Sequence, residues 1–219
     1  MRSTIDGNPD YGEVRFDLDP GDVVRAASGA MNWYQGDLEL RGRLLGGVVR
    51  SVARKLLGGT SMFITEYTAG APGAVGIAPT FPGAVTSARL DDGKLFLSPS
   101  TFLAATDGID LRTRFYGSRG FLSGSGPFLI EASGSGEVWF SAFGGLVERE
   151  LDGDLLVDTG HVCAFEPTVG YRLRGAGGVK QTLFSGEGLL LGFSGRGRIY
   201  LQSRNASALA QWVTPFLRG

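Results

Sequence analysis

The chain contains a single histidine, His161, and a single cysteine, Cys163, two residues apart. On a strand, residues at that spacing point to the same face, which is the proximity a thiol nucleophile and its base require. An enzyme using His161 is therefore one reading. The plainer one is structural. Cys163 lies in the apolar run Val162-Cys163-Ala164-Phe165, where cysteine packs as a small hydrophobe, and His161 follows Gly160 at a strand start, where it bonds a turn. Asp158 is near in sequence, but nothing places it on the imidazole. A zinc site of the Cys/His kind needs three or four such ligands, and the chain holds two. Asp91, Asp92, Asp152 and Asp154 fall in turn sequences, where aspartate serves the backbone. No catalytic residue, no metal ligand and no cofactor is assigned.

The glycine-rich stretches fail as nucleotide loops. Gly192-Phe193-Ser194-Gly195-Arg196-Gly197 reverses the spacing of the dinucleotide fingerprint and leads into a strand, whereas that loop must open a helix whose N-terminus holds phosphate. Gly175-Ala176-Gly177-Gly178-Val179-Lys180-Gln181-Thr182 lacks the adjacent Gly-Lys-Ser/Thr of a P-loop.

Charge narrows the partners. Net charge is -1, so no overall field gathers nucleic acid or anionic lipid. Trp139, Phe115 and Tyr116 with Arg119 have the types that stack bases, but without a basic excess no nucleic-acid partner is expected. Arg41, Arg43, Arg50, Arg54 and Lys55 are the candidate surface contact. They border apolar residues at 44, 45, 48, 49, 52, 53, 56 and 57, which is helical spacing. Such a helix either meets a membrane surface or packs on its own protein. Glu148-Arg149-Glu150 reads as a solvated strand face with cross-strand ion pairs, each worth ~0–1 kcal/mol.

The elements that must carry these residues are strands. A leucine, an acidic turn with glycine and an apolar run recur at Leu18-Asp19-Pro20-Gly21-Asp22-Val23-Val24, at Leu90-Asp91-Asp92-Gly93-Lys94-Leu95-Phe96 and at Leu151-Asp152-Gly153-Asp154-Leu155-Leu156-Val157. A recurrence of this kind is one architectural unit copied along a chain. Val14, Phe16 and Leu18 alternate with Arg15 and Asp17, Val138 and Phe140 with Glu137 and Trp139, and Ile199 and Leu201 with Arg198, Tyr200 and Gln202. Glycine, 36 of 219 residues, sits in the short turns that many strands need. The spacing predicts an all-β, three-repeat β-sandwich or double-stranded β-helix. It forms one domain over 1–219, with units at about 10–80, 81–145 and 146–205. A short helix is expected near 44–57, and a C-terminal helix over 206–217. Asn205 caps the latter, Ala206, Leu209, Ala210 and Val213 share a face, and Pro215 ends it.

One cysteine excludes an intramolecular disulfide and fits a reducing compartment. No apolar run reaches the ~20 residues of a spanning helix. Met1 to Asp10 has neither a signal peptide's apolar stretch nor an Arg-rich presequence, so a cytoplasmic location is expected.

Longer stretches resemble a known family. They are Met31-Asn32-Trp33, Leu56-Leu57-Gly58-Gly59-Thr60-Ser61-Met62-Phe63, Ala78-Pro79-Thr80-Phe81-Pro82-Gly83 and Phe102-Leu103-Ala104-Ala105. Further along come Val147-Glu148-Arg149-Glu150-Leu151, Leu156-Val157-Asp158-Thr159-Gly160-His161, Gly177-Gly178-Val179-Lys180 and Leu183-Phe184-Ser185-Gly186-Glu187-Gly188. Together they resemble the altered-inheritance-of-mitochondria family over nearly the whole chain. The resemblance implies a β fold like that of the tryptophan-RNA-binding attenuation protein, with three related units in one chain. It supplies no activity and no catalytic residue. Mitochondrial relatives are linked to the inner membrane, and the RNA binding of the namesake fold does not transfer with the fold.

These readings lead to a non-enzymatic scaffold or interaction protein acting near a membrane, with a protein partner and self-association, as a trimer. The alternatives are a small-molecule binding or sensing module, with Trp33, Tyr34 and Trp139 lining its pocket, and the enzyme using His161.

Overall fold

The computed structural model describes residues 1–45, 63–115, 128–174 and 190–217. Within them the strands are β1 (Arg2–Asp6), β2 (Glu13–Leu18), β3 (Val23–Ala27), β4 (Met31–Gln35), β5 (Leu38–Leu44), β6 (Phe63–Ala69), β7 (Gly73–Ile77) and β8 (Val85–Leu97). They continue with β9 (Phe102–Thr106), β10 (Ile109–Phe115), β11 (Phe128–Ser141), β12 (Leu146–Asp158), β13 (Val162–Phe165), β14 (Val169–Arg174) and β15 (Leu190–Gln202). A 3-10 turn, Thr159–His161, precedes β13, and one α-helix, α1 (Ala206–Leu217), closes the described chain. The fold is all-β, as the alternating pattern requires.

Two sheets are built. One runs β1-β2-β7-β4; the other runs β12-β15-β13-β8-β11-β9-β3-β6-β5, with β10 added on β11 and β14 on β15. Between named strands the pairings are antiparallel. The longest pairs Leu146 with Gln202 through to Asp158 with Leu190, setting Gly153 opposite Gly195. In the β8–β11 pair Gly93 lies opposite Gly134, and the register slips between Gly134 and Gly136. Both of these glycines have positive φ, 124° and 153°, so the ladder bulges where a side chain would be strained.

Local sequence accounts for the strand faces. Val14, Phe16 and Leu18 are buried, while Arg15 turns outward and pairs with Asp17 at 2.7 Å. Asp19 to Asp22 is the turn expected, closed by the Asp22 amide on the Asp19 carbonyl at 2.9 Å, with Gly21 at φ 88°.

Three apolar clusters form the interior. The first gathers Val14, Phe16, Val24, Tyr67, Val75 and Ile77 with Trp139. The second gathers Leu95, Leu97, Phe102, Ile109, Ile130 and Phe140 with Cys163. The third gathers Leu151, Val162, Phe165, Val169, Phe193 and Ile199. Strands near the middle of the large sheet are covered on both faces. Val138 and Phe140 face one cluster, and Trp139, on the opposite face of β11, fills another. Trp139 is thus no exposed platform for a base or ligand. It stands edge-on to Phe16 at 4.7 Å and 87°. Tyr200 is buried for the same reason.

Leu44, where the spacing predicts a helix to begin, is the last residue of strand β5. The remainder of the 44–57 helix, after Leu45, lies outside the described residues.

Candidate functional site

His161 ends the 3-10 turn and Cys163 lies in β13, so they do not form a strand pair. Both instead meet Gln202 of β15. The His161 Nδ1 is 2.8 Å from the Gln202 carbonyl oxygen, and the Cys163 thiol points to Gln202 Oε1 at 3.8 Å. The Gln202 amide in turn donates to the Gly160 carbonyl at 2.7 Å and accepts from the Phe143 amide at 2.9 Å. Asp158 does not touch the imidazole. Its Oδ1 accepts from the Gly160 amide at 2.7 Å and caps the turn. Burial pushes the Cys163 thiol up to about 12, because a thiolate there would be desolvated without compensation. At neutral pH this sulfur is a packed thiol and no nucleophile.

The two buried glutamates and several exposed carboxylates are taken up in ion pairs. Buried Glu66 is held between Arg25, at 3.0 Å, and Arg43, at 3.0 Å, and Arg25 also pairs with Asp107. Buried Glu131 receives Arg114 through two nitrogens at 2.8 and 3.0 Å. The arginine holds its carboxyl below the usual range, against the opposing effect of burial. The Glu148-Arg149-Glu150 segment forms its cross-strand pairs through Arg198, which lies 3.5 Å from Glu148 and 3.4 Å from Glu150 and also meets Glu166 at 3.3 Å. Asp152 pairs with Arg196 at 2.6 Å.

Of the candidate basic surface, Arg41 and Arg43 are on strand β5. Arg41 pairs with Glu39 at 2.8 Å, and Arg43 is neutralised by Glu66. Arg50, Arg54 and Lys55 lie outside the described residues, as do Tyr116 and Arg119. Gly192 to Gly197 runs along β15, so it is strand and not a phosphate loop. Trp33 covers Gly76, packing where a Cβ would sit, and Tyr34 is exposed.

Helix α1 begins as its sequence directs. Asn205 Oδ1 accepts from the amides of Ser207 at 2.9 Å and Ala208 at 3.3 Å. The helix runs past Pro215 to Leu217. A proline this near the C-terminus costs one intrahelical bond without stopping the last turn. Consequently Trp212, Phe216 and Leu217 continue the face that begins at Leu209, at the i, i+3, i+7, i+8 spacing of an apolar stripe. No residue of the helix is buried. Leu209 is 39%, Trp212 67%, Phe216 74% and Leu217 76% exposed, and Trp212 lies against Phe216 at 5.6 Å. The twelve residues carry no charge. The helix spans the 206–217 expected from sequence, with Pro215 inside its last turn and not at its end.

Beside the start of α1 lies a cavity of about 310 Å³. Phe81 and Phe143 stack in its wall at 4.9 Å and 28°, with Phe102 beside them. Neither Trp33, Tyr34 nor Trp139 lines it, which corrects the pocket expected from sequence. Phe81 and Phe143 lie within two residues of Gly83 and Gly144, which precede the long strands β8 and β12 and are bridged to one another in parallel. That shared context was the available signal.

Fold and site together define an all-β protein with three apolar cores. Its buried carboxylates Glu66 and Glu131 are paired with arginines, and among the described residues its terminal helix exposes Leu209, Trp212, Phe216 and Leu217. Residues 3–204 match the family described as mitochondrial biogenesis AIM24. The chain belongs to that family. It is similar to an uncharacterized protein of Streptococcus pyogenes serotype M6, 29% identical over 226 residues, which span 99% of this chain and 91% of that protein. It is also similar to a Streptococcus pyogenes protein solved by X-ray crystallography, with a TM-score of 0.84 and 28% identity, covering 98% of this chain and 99% of the other.

Proposed function

We propose that this protein is a non-enzymatic interaction protein that docks on a membrane surface through helix α1. One observation carries the reading: a helix of twelve uncharged residues presents Leu209, Trp212, Phe216 and Leu217 to solvent. A helix of that length is marginal by itself in water, and apolar area left exposed costs about 25 cal/mol per Å² relative to burial. Both terms are recovered when the face enters a headgroup–acyl boundary, where tryptophan and phenylalanine are favoured residues. Arg204 precedes the helix, and a cation at that flank suits a phosphate headgroup. No described helix is long and apolar enough to cross a membrane, so the contact proposed is peripheral. The packed thiol of Cys163, the committed amide of Gln202 and the paired carboxylates favour this reading over chemistry at His161.

The body behind the helix is read as three copies of one unit that together form a rigid scaffold. Support comes from β8–β11 and β12–β15, which repeat a long, short, short, long order. It comes also from the parallel bridges Tyr11–Gly83 and Gly83–Gly144, which bring the three unit starts together.

Flotation with phosphatidylcholine vesicles tests the docking. The wild type is expected to float, with little change on adding salt, because the helix is uncharged. The Trp212→Ser/Phe216→Ser variant is expected to stay in the dense fraction. Failure of the wild type to float, or flotation unaffected by the double substitution, overturns the reading.

A further inference from the structure

The cavity beside α1 differs in chemistry from the rest of the surface. Among the described residues no charged side chain lines it. Its wall is aromatic and ring-like: the stacked Phe81–Phe143 pair, Phe102, Pro79 and Pro99. Phe81 and Phe143 are only half-buried. Two large apolar rings are thus held partly open to a concavity instead of completing a core, which is the arrangement of a ligand wall. Besides Gln202, the polar side chains of the wall are Ser28, Thr80 and Ser100, at exposed turn positions, and the buried Ser141, whose hydroxyl donates to the Thr101 carbonyl oxygen at 3.5 Å. The one amide in the wall, Gln202, is already committed to Gly160 and Phe143; it fixes the position of Phe143 and is not free to recognise a ligand.

From these features we propose that the cavity is a binding site for a compact, neutral small molecule with a one- or two-ring apolar body and a polar group at one edge. The rings stack on or against Phe81 and Phe143, and the edge group bonds the hydroxyl rim. A volume of about 310 Å³ is at the lower bound of the ~300–1,000 Å³ of small-molecule sites, too small for a folded peptide or a lipid with two chains. Among the described residues the wall holds no cation, so a phosphate or carboxylate would be desolvated there without a partner, and a neutral ligand is favoured over nucleotides and organic acids. The site is independent of the membrane contact: its wall comes from strand ends and turns of the body, and only Ala206 belongs to α1.

The test uses the full chain and the neutral naphthalene dye prodan, whose emission shifts to the blue in apolar surroundings. Titration of the wild type is expected to saturate at one dye per chain. Thr80→Trp and Ser100→Trp place bulk at the mouth from exposed turns and leave the cores intact. They are expected to weaken binding about tenfold or more, at least ~1.4 kcal/mol, with unchanged circular dichroism and melting temperature. Trp212→Ser/Phe216→Ser, which removes the exposed helix face, is expected to leave dye affinity unchanged. Non-saturating binding, equal affinity in both mouth variants, or loss of binding in the helix variant each overturns the proposal. The last outcome would mean that the dye reads the helix.

Discussion

Arg114 reaches Glu131 through both Nε and Nη2, at 2.8 and 3.0 Å, and the glutamate is buried while the arginine stands half in water. The hydrogen bonds from the guanidinium lower the glutamate pKa, and burial opposes them. The net direction is down. A carboxyl depressed in the folded state contributes stability that is complete above its unfolded value, about 4.3, and is lost as pH falls through the folded value.

Glu131→Gln is therefore expected to lower stability at neutral pH by about 1–2 kcal/mol, discounted for the exposed arginine. It should also flatten the acid limb of the melting-temperature profile. Thermal denaturation of both proteins between about pH 6 and pH 3 checks this. Parallel curves across that range would mean that Glu131 is not the group responsible.

The Cys163 thiol titrates in the opposite sense. Burial raises it to about 12, so the folded state keeps its proton where the unfolded chain, near 8.5, has lost it. Stability from this group is whole below the unfolded value and falls as pH rises beyond it. The expected outcome is negligible labelling of the native protein by a thiol-specific disulfide reagent at pH 8, and one thiol per chain after denaturation. Rapid native labelling would restore the case for chemistry at this position.

Trp139 and Phe16 couple strands that are 123 residues apart in sequence. Trp139→Ala is expected to cost about 3–5 kcal/mol, as deletion of a buried aromatic does. The double-mutant cycle with Phe16→Ala should return ~0.5–1.5 kcal/mol of coupling from the edge-on rings. Denaturant unfolding of the four proteins measures it, and strict additivity would deny the contact.

How far the sequence reached is visible at these residues. The burial of Val14, Phe16 and Leu18 follows from a period of two, and the start of α1 from a single asparagine whose side chain caps its own helix. Both signals are local. Trp139 could not be read in this way. Its alternation with Val138 and Phe140 marks the opposite face correctly, but whether that face meets water depends on strands far off in the chain. The same limit hid the cavity: Phe81 and Phe143 lie 62 residues apart, and only the meeting of Gly83 with Gly144 stacks them. Arg43 reads from sequence as part of a basic surface because its partner, Glu66, becomes a neighbour only when β5 pairs with β6.

The cap of α1 gives a prediction that separates local from global stability. Asn205→Ala removes the acceptor for two helix amides, a loss of about 1 kcal/mol. Because no helix residue is buried, the body should melt unchanged. Hydrogen exchange of the α1 amides should accelerate several-fold while the strand amides keep their protection. A drop in the global melting temperature would show that the helix supports the body.

Gly136 and Gly197 share a backbone conformation, with φ 153° at each. A Cβ at Gly136 would collide with Thr106 Oγ1, and one at Gly197 with Thr168 Oγ1. Each glycine thus lets a long strand pass close to a threonine hydroxyl, that of Thr106 at the end of β9 and that of Thr168 just before β14. Alanine there meets two penalties, a backbone region costing of order 1–3 kcal/mol for a residue with a side chain and a steric clash with a fixed hydroxyl. Gly153 has φ 120° and open space around it, so its alanine variant pays the backbone term alone. The expected order in chemical denaturation is Gly136→Ala and Gly197→Ala together as the most damaging, by at least about 2 kcal/mol, with Gly153→Ala well behind. Were Gly136→Ala tolerated while Gly197→Ala was not, the two glycines would serve different ends, and the reading of β11 and β15 as copies of one strand would fail.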